Sequence, residues 1–428
     1  MEIPLHYGDG QISVEIPQKN VSEVIRPRCS AVSGRSNTEI VTQAINRAGE
    51  FTECIKGQIL GVLVPDGTRD LPLSDIFPPL FPLLANTQKI LFFICTGTHN
   101  ADTSENRAIA ELIRTEANQS AIKDYEIIAH DCQQTECISA GLTRRKTEIL
   151  YNARLREAAC FLIFSDIKHH YFAGYSNPIK NFVPGLCAFK TTEQNHSWTM
   201  NANARAGAHP WHPDIAMRDN PLAQDQYEAM TVIVQQRRVW AFVTLSSDRH
   251  LNWADFGPAE EVTAKAFLLA DIANRFTVKP VQKIIISPGG LPNDVDLYIA
   301  QRALELTTQV LSDNGEILFA AACPNGIGSP RTKEQFYDKL ICPLEKIQAA
   351  RQQDYQLFSH KPWRFARLIQ RLNCLWLYSQ IEASVIEKIH MTPCLNPQIV
   401  INDWLDQNPN EQILVIDGAN KTLLHPTA

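Results

Sequence analysis

Short apolar runs alternate along this chain with segments of helical period. The runs at 59–64 (ILGVLV), 90–95 (ILFFIC), 125–129 (YEIIA) and 160–164 (CFLIF) are bounded by polar, Gly or Pro residues and read as buried strands. A helical segment at 104–114 follows the second run, with Asp102 or Thr103 placed to cap it. Residues 201–220, rich in Asn, Ala, His and Pro, read as irregular; a strand at 239–245 and a helix at 263–275 follow. Near 276–280 the pattern restarts. It gives a strand at 283–287, the turn PGGLPND, a helix at 295–311, a strand at 316–322 and the loop CPNGIGSP, then strands at 375–378 and 412–417. Strands alternating with helices predict βαβ units and largely parallel sheets. The expected architecture is α/β: two α/β domains, 1–275 and 276–428, with a cleft between them and no internal repeat.

Composition narrows the partners. A length of 428 residues suits two or three domains at about 150 residues each, and 44% hydrophobic residues can bury large cores. Lys plus Arg number 40 against 46 Asp plus Glu, a net charge of −6 with no basic stripe, so nucleic acid is not an expected partner. The apolar runs are far too short to span a bilayer. The N-terminal MEIPLHYGDGQISVEIP has neither the basic nor the apolar region of a signal peptide. The expectation is a cytoplasmic protein with no membrane partner. Eleven cysteines, an odd number with no CxxC, read as reduced and mostly buried thiols.

The candidate chemistry collects after the strands, where open α/β sheets bind ligands. Residues 165–196 (SDIKHHYFAGYSNPIKNFVPGLCAFKTTEQNH) hold three histidines and three lysines. His169 and His170 follow a strand, Lys180 lies ten residues on, and His196 sixteen beyond that. PDGTR at 65–69 puts Asp66, Gly67, Thr68 and Arg69 at another strand end. Arginine grips a carboxylate or phosphate through two parallel hydrogen bonds, and Asp66 is placed to fix that arginine or to bind a ribose hydroxyl. TGTH at 96–99 adds His99, with Gly97 and the N–H groups after it arranged to cradle an anion. Two histidines and an arginine on strand ends of one sheet make an acid/base constellation. SPGGLP at 287–292 is not GxGxxG, and neither GxxxxGK[ST] nor GxSxG occurs, which disfavours nucleotide-fold, P-loop and hydrolase readings. His209 and His212, in AHPWHP, read as loop residues rather than a metal pair.

Taken together, these motifs resemble the nickel-pincer lactate racemase family. DGTR at 66–69, TGTH at 96–99, HHYFAGYSNPIK at 169–180 with PG at 184–185, NH at 195–196 and SPGGLPNDVDLY at 287–298 fall in that family's order. They extend from the N-terminal YGDGQISVEIP to HKPWRFA at 360–366. The resemblance implies two α/β domains with the active site between them. It implies a nickel-bearing pyridinium mononucleotide, the nickel-pincer nucleotide, held through a thioamide by Lys180, with His196 completing the nickel sphere. It casts His99 and His170 as acid and base, and Arg69 as orienting substrate in a pocket that Asp66, Gly67 and Thr68 help to form. The implied reaction is racemisation or epimerisation of a 2-hydroxy acid, the C2 hydrogen passing as hydride while histidines exchange the hydroxyl proton.

Two departures refine that expectation. The family's two glycines before the lysine are here Asn177 and Pro178, so the loop is expected to hold Lys180 differently. On the helix after SPGGLP, lactate-specific members carry Gln and Lys where this chain has Ile299 and Arg302. Arg302 keeps a cationic anchor for a carboxylate and the amide is lost, so the expected substrate is a 2-hydroxy acid other than lactate. His169 is expected to support rather than react. The competing readings are a non-catalytic relative that binds the cofactor or a hydroxy acid, and a conventional dehydrogenase, which the missing nucleotide fingerprint disfavours.

Overall fold

Alternate residues of each central strand go to opposite sides of a sheet. Leu63, Leu91, Phe93, Phe161 and Ile163 enter one core; Leu60, Val62, Val64, Ile90, Phe92, Leu162 and Phe164 enter another. Because both faces are covered, these strands are apolar throughout instead of alternating, as parallel sheets require. The computed structural model describes residues 1–28, 34–69, 71–247, 249–330 and 332–427. It is a mixed α/β structure with parallel-rich sheets. The chain divides into two units, Cys29–Ile272 and Met1–Arg28 with Ala273–Ala428.

In the Cys29–Ile272 unit, six strands run in the order His250–Pro258, Val239–Ser247, Cys160–Asp166, Ile59–Pro65, Lys89–Cys95, Tyr125–Ala129. All neighbours are parallel except the His250–Pro258 edge. The chain moves outward from Ile59–Pro65 in one direction and then returns to its other side with Cys160–Asp166. That reversal is a topological switch point, where doubly wound sheets open a crevice beyond the strand ends. The DGTR loop and the histidine-rich segment leave the sheet on its two sides. Helix Ser104–Gln119 follows Lys89–Cys95, and Thr103 caps it by accepting from the Asn106 N–H.

The second unit has its own six-stranded parallel sheet: Thr392–Pro393, Cys374–Tyr378, Leu311–Ala320, Val281–Ser287, Ile413–Asp417, Val21–Ile25. The last of these corrects the expectation that residues 1–28 belong with the N-terminal domain. Val21–Ile25 pairs with Ile413–Asp417, Asn20 donates to the Pro409 and Glu411 carbonyls, and His6 and Arg26 both bond Asp417. The hairpin Glu2–Tyr7 with Gly10–Glu15 buries Ile3, Leu5 and Val14 against Ile285, Leu318 and Val415. Among the described residues no helix is long and apolar enough to cross a membrane.

Candidate active site

The DGTR loop folds back on its own strand end. Asp66 is buried and accepts from Thr68 Oγ1 at 2.7 Å and from His99 Nδ1 at 2.6 Å. The side-chain partner of Asp66 across the loops is thus His99, which the sequence reading had not paired with it, and the Arg69 charge lies near enough to act on the carboxylate. Burial works to raise the Asp66 pKa, and the hydrogen bonds from His99 and Thr68 with the nearby Arg69 charge outweigh it, holding the carboxyl below its ordinary value. A carboxylate on Nδ1–H fixes the ring and leaves Nε2 as the basic nitrogen. The His99 side chain is 46% exposed, so that nitrogen can meet a ligand. Gly67 N–H donates to Asn106 Oδ1, and Arg69 is exposed.

The TGTH loop is tied to the lysine loop. Gly97 N–H donates to the Gly185 carbonyl at 3.0 Å, so it is not available to cradle an anion as the sequence suggested. Gly185 N–H in turn donates to the Lys180 carbonyl at 2.9 Å, and a Cβ at Gly185 would collide with the Asn181 carbonyl. Asn177 and Pro178 start the short helix Ile179–Phe182, with Lys180 N–H on the Asn177 carbonyl. Proline there supplies a helical φ of −56° at a position that needs no donor. Asn181 donates to the Phe164 carbonyl, anchoring the lysine turn to its strand.

His170 lies on a two-residue strand, His169–His170, paired with Gly174–Tyr175. Its Nδ1 accepts the Ala173 N–H, so the neutral ring carries its proton on Nε2. His196 ends helix Phe189–His196 with the opposite tautomer: Nδ1–H donates to the Thr192 carbonyl at 2.9 Å and Nε2 keeps its lone pair. Burial, then the Lys180 charge, push the His196 pKa down to about 3, so the ring is neutral. Phe172 gathers these groups, with His170 and His196 centroids 4.4 and 5.5 Å from its ring and Lys180 Nζ at 6.0 Å. The sequence-selected His170, Lys180 and His196 therefore cluster, and the Asp66–His99 pair joins them through the Gly97–Gly185 contact.

His169 is buried and bonds Asp271 Oδ1 at 2.8 Å, which also accepts from Tyr175 at 2.7 Å. Burial raises the Asp271 pKa, but the bonds from His169 and Tyr175, with His212 Nε2 nearby at 3.8 Å, win and hold it well below the carboxylate range. A carboxyl depressed in the folded state stabilises above its unfolded pKa of about 3.9, and that contribution is lost as pH falls toward the folded value. Asp271→Asn should lower the unfolding free energy by about 1–3 kcal/mol at pH 7, read by urea denaturation. The gap to the native protein should narrow below about pH 4; a pH-independent gap would mean packing, not charge.

Ile299 and Arg302 lie in the second unit, one turn apart on helix Leu297–Thr307, whose first turn Asp296 caps through the Ile299 N–H. Ile299 is 41% exposed and Arg302 half-buried. Sequence reading passed over Lys361 of HKPWRFA, which is 5% exposed, bonds the Tyr298 carbonyl and stands 3.8 Å over its ring. Burial pushes Lys361 down to about 7, Asp296 and Glu305 opposing and Arg302 adding to the shift. Only burial distinguishes this lysine, and burial is not written in the local sequence.

The fold is α/β, and His99, His170, Lys180 and His196 collect beyond the strand ends near its switch point. Comparison makes that specific. Residues 7–207 match the lactate racemase N-terminal domain. The lactate racemase of Lactiplantibacillus plantarum is 23% identical over 412 residues, 91% of each chain. That of Thermoanaerobacterium thermosaccharolyticum is 22% identical over 353 residues, 79% of this chain and 76% of the relative. The structure of the latter's apoprotein matches with a TM-score of 0.81 at 19% identity, covering 99% of this chain and 100% of the other. A Thermotoga maritima protein matches at 0.63 and 13% identity, covering 91% and 98%. The chain is similar to lactate racemases along most of its length, and that similarity supports an isomerase of the racemase class.

Proposed function

We propose that this isomerase racemises or epimerises 2-hydroxy carboxylic acids, with the strand-end histidines moving the hydroxyl proton. The observation that carries the reading is the gathering of His170, Lys180 and His196 about Phe172, one loop contact from the Asp66–His99 pair. His99 takes the proton of the C2 hydroxyl at Nε2, and Asp66 stabilises the imidazolium that results. His170 exchanges a proton at its own Nε2. Arg69 supplies a guanidinium group for the substrate carboxylate, and the resemblance casts Arg302 as a cationic anchor for a carboxylate.

The residues fit a nickel-pincer nucleotide. A metal-binding histidine ordinarily commits its other nitrogen to a carbonyl or carboxylate, as His196 does with Thr192. Among the described residues no three His, Cys, Asp or Glu side chains converge as a metal-ligand set. A single protein ligand suits a metal whose remaining donors belong to an organic group. Lys180 would tether that group and His196 would ligate the nickel. When bound, the group supplies a reversible acceptor for the hydrogen and electron pair that leave C2.

Ile299 sets the specificity. An amide at that position would hydrogen-bond a substrate group and reject acids lacking it, whereas an isoleucine wall discriminates by only about 1–3 kcal/mol per methylene. A panel of apolar, aromatic, dicarboxylic and sugar-derived 2-hydroxy acids, followed by loss of optical purity, should show acids longer than lactate turning over at least as fast as lactate. Lactate outperforming every longer acid would remove the specificity claim. Arg302→Ala should raise KM across the whole panel by about tenfold or more, the worth of one charge-assisted hydrogen bond.

A further inference from the structure

Two histidines stand side by side in the chain, and only one joins the cluster about Phe172. Successive residues of a strand project to opposite faces. His170 packs edge-on against the Phe172 ring at 4.4 Å. His169 turns the other way and is buried, with its Nε2–H on Asp271 Oδ1 at 2.8 Å. The hairpin that carries them is two rungs long, His169 opposite Tyr175 and His170 opposite Gly174. A two-stranded ribbon is marginal by itself in water, and a slip of one residue would exchange the two imidazoles between faces.

Asp271 supplies what the ribbon lacks. It stands on helix Ala259–Asn274, one turn after Phe267 and on the same face. Its Oδ1 accepts from His169 on one strand and from the Tyr175 hydroxyl on the other, the latter at 2.7 Å, so one oxygen ties both halves of a single rung. The Tyr175 ring lies on the Phe267 ring with centroids 4.0 Å apart and planes 17° from parallel. At the ribbon's base Ser176 N–H donates to the Lys168 carbonyl, Lys168 N–H donates to Ser176 Oγ, and that hydroxyl donates to the Asp166 carbonyl. At its tip Asn220 Nδ2 donates to the Phe172 carbonyl at 2.9 Å. Of these partners Asp271 is the one that holds the His169 ring. Holding it sends His170 to the opposite face, where its Nδ1 accepts the Ala173 N–H at 3.3 Å.

We propose that Asp271 is a positioning residue that selects His170 over His169 as the acid–base histidine, by clamping His169 and Tyr175 with one carboxylate oxygen. This rests on the reading that His170 exchanges the substrate proton.

Three variants separate the clamp from mere support of the fold. Tyr175→Phe removes one donor and keeps the ring on Phe267. Asp271→Leu removes every acceptor at similar size, and Asp271→Asn keeps an oxygen able to accept both bonds. In the loaded enzyme, Asp271→Leu should lower kcat about 10²-fold with KM within about threefold, the cost of a misplaced group. Tyr175→Phe should lower kcat about tenfold, one hydrogen bond's worth. Asp271→Asn should recover kcat to within about threefold of native, although it is a less stable protein than Tyr175→Phe. If Asp271 only supported the fold, that order of rates would follow the order of stabilities instead. In protein without cofactor, labelled with 15N-histidine and held at a pH where the ring is neutral, native His170 should show a bare Nδ1 and a protonated Nε2. In Tyr175→Phe and Asp271→Leu the two tautomers should mix. Should Asp271→Leu fail to fold, Tyr175→Phe decides alone. Native kcat with an unmixed His170 tautomer in the folded variants overturns the proposal and leaves His170 in its role. Native turnover in His170→Ala overturns that role, and this proposal with it.

Discussion

Lys180→Ala protein, purified from a host that makes the pincer group, should carry no adduct and racemise no 2-hydroxy acid above background. Native protein prepared alongside should carry an adduct on Lys180 and about one nickel per chain. The expectation follows from how the lysine is held. Its turn begins at Asn177–Pro178, is anchored to the Phe164 carbonyl by Asn181, and closes through Gly185. That fixed turn places Nζ beside Phe172 with two neutral histidines, His196 and His209, within reach of its charge. His196→Ala should differ: the adduct stays, and most of the nickel goes. On the proposed reading His196 is the ligand and not the anchor, so a variant that loses both together would place it in folding instead. The apo fold should survive either change, since neither side chain is a core residue, and circular dichroism before loading checks this. An unmodified native Lys180 would remove the cofactor assignment while leaving the α/β fold and the acid–base pairs intact.

Parts of this arrangement were legible in the sequence for definable reasons. The strands Ile59–Pro65, Lys89–Cys95 and Cys160–Asp166 are buried on both faces, so they print as unbroken apolar runs. Pairs such as Cys137–Leu142 with Glu148–Asn152 mix exposed and buried positions and left no such trace. The placement of residues 1–28 depends on pairing with Ile413–Asp417, nearly four hundred residues away, and no local pattern carries that. At the site, residue types and strand-end positions picked out His99, His170, Lys180 and His196. Which atoms face each other was not readable. Asp66 and His99 lie 33 residues apart and meet only because their strands are neighbours in the sheet. His209 looked like a loop residue and is one; its burial depends on partners outside its own motif, such as Phe267 against its ring and Asn220 on the neighbouring Ala208 carbonyl.

The acid–base pair carries the second large effect. His99→Ala and His170→Ala should each reduce kcat by about 10²–10⁴-fold, the usual worth of a positioned acid or base. Between enantiomers the equilibrium constant is one, so either variant must depress kcat/KM equally in both directions. What each direction loses can differ only in how it divides between kcat and KM. The two histidines are not dressed alike. His99 has a buried carboxylate on Nδ1, which fixes the tautomer and stabilises the protonated ring; His170 has a backbone N–H on Nδ1, which leaves the proton on Nε2. Asp66→Asn therefore tests the pair without removing either imidazole. An amide in place of the carboxylate can offer its own N–H to Nδ1 and reverse the ring, leaving Nε2 protonated and unable to accept. Its loss in kcat should reach about 10²-fold or more, comparable to losing the histidine, with KM little changed. Asp66→Glu keeps the charge at a longer reach and should recover part of the rate. If Asp66→Asn stays within tenfold of native while His99→Ala does not, the carboxylate only packs the loop, and His99 works as a base without it.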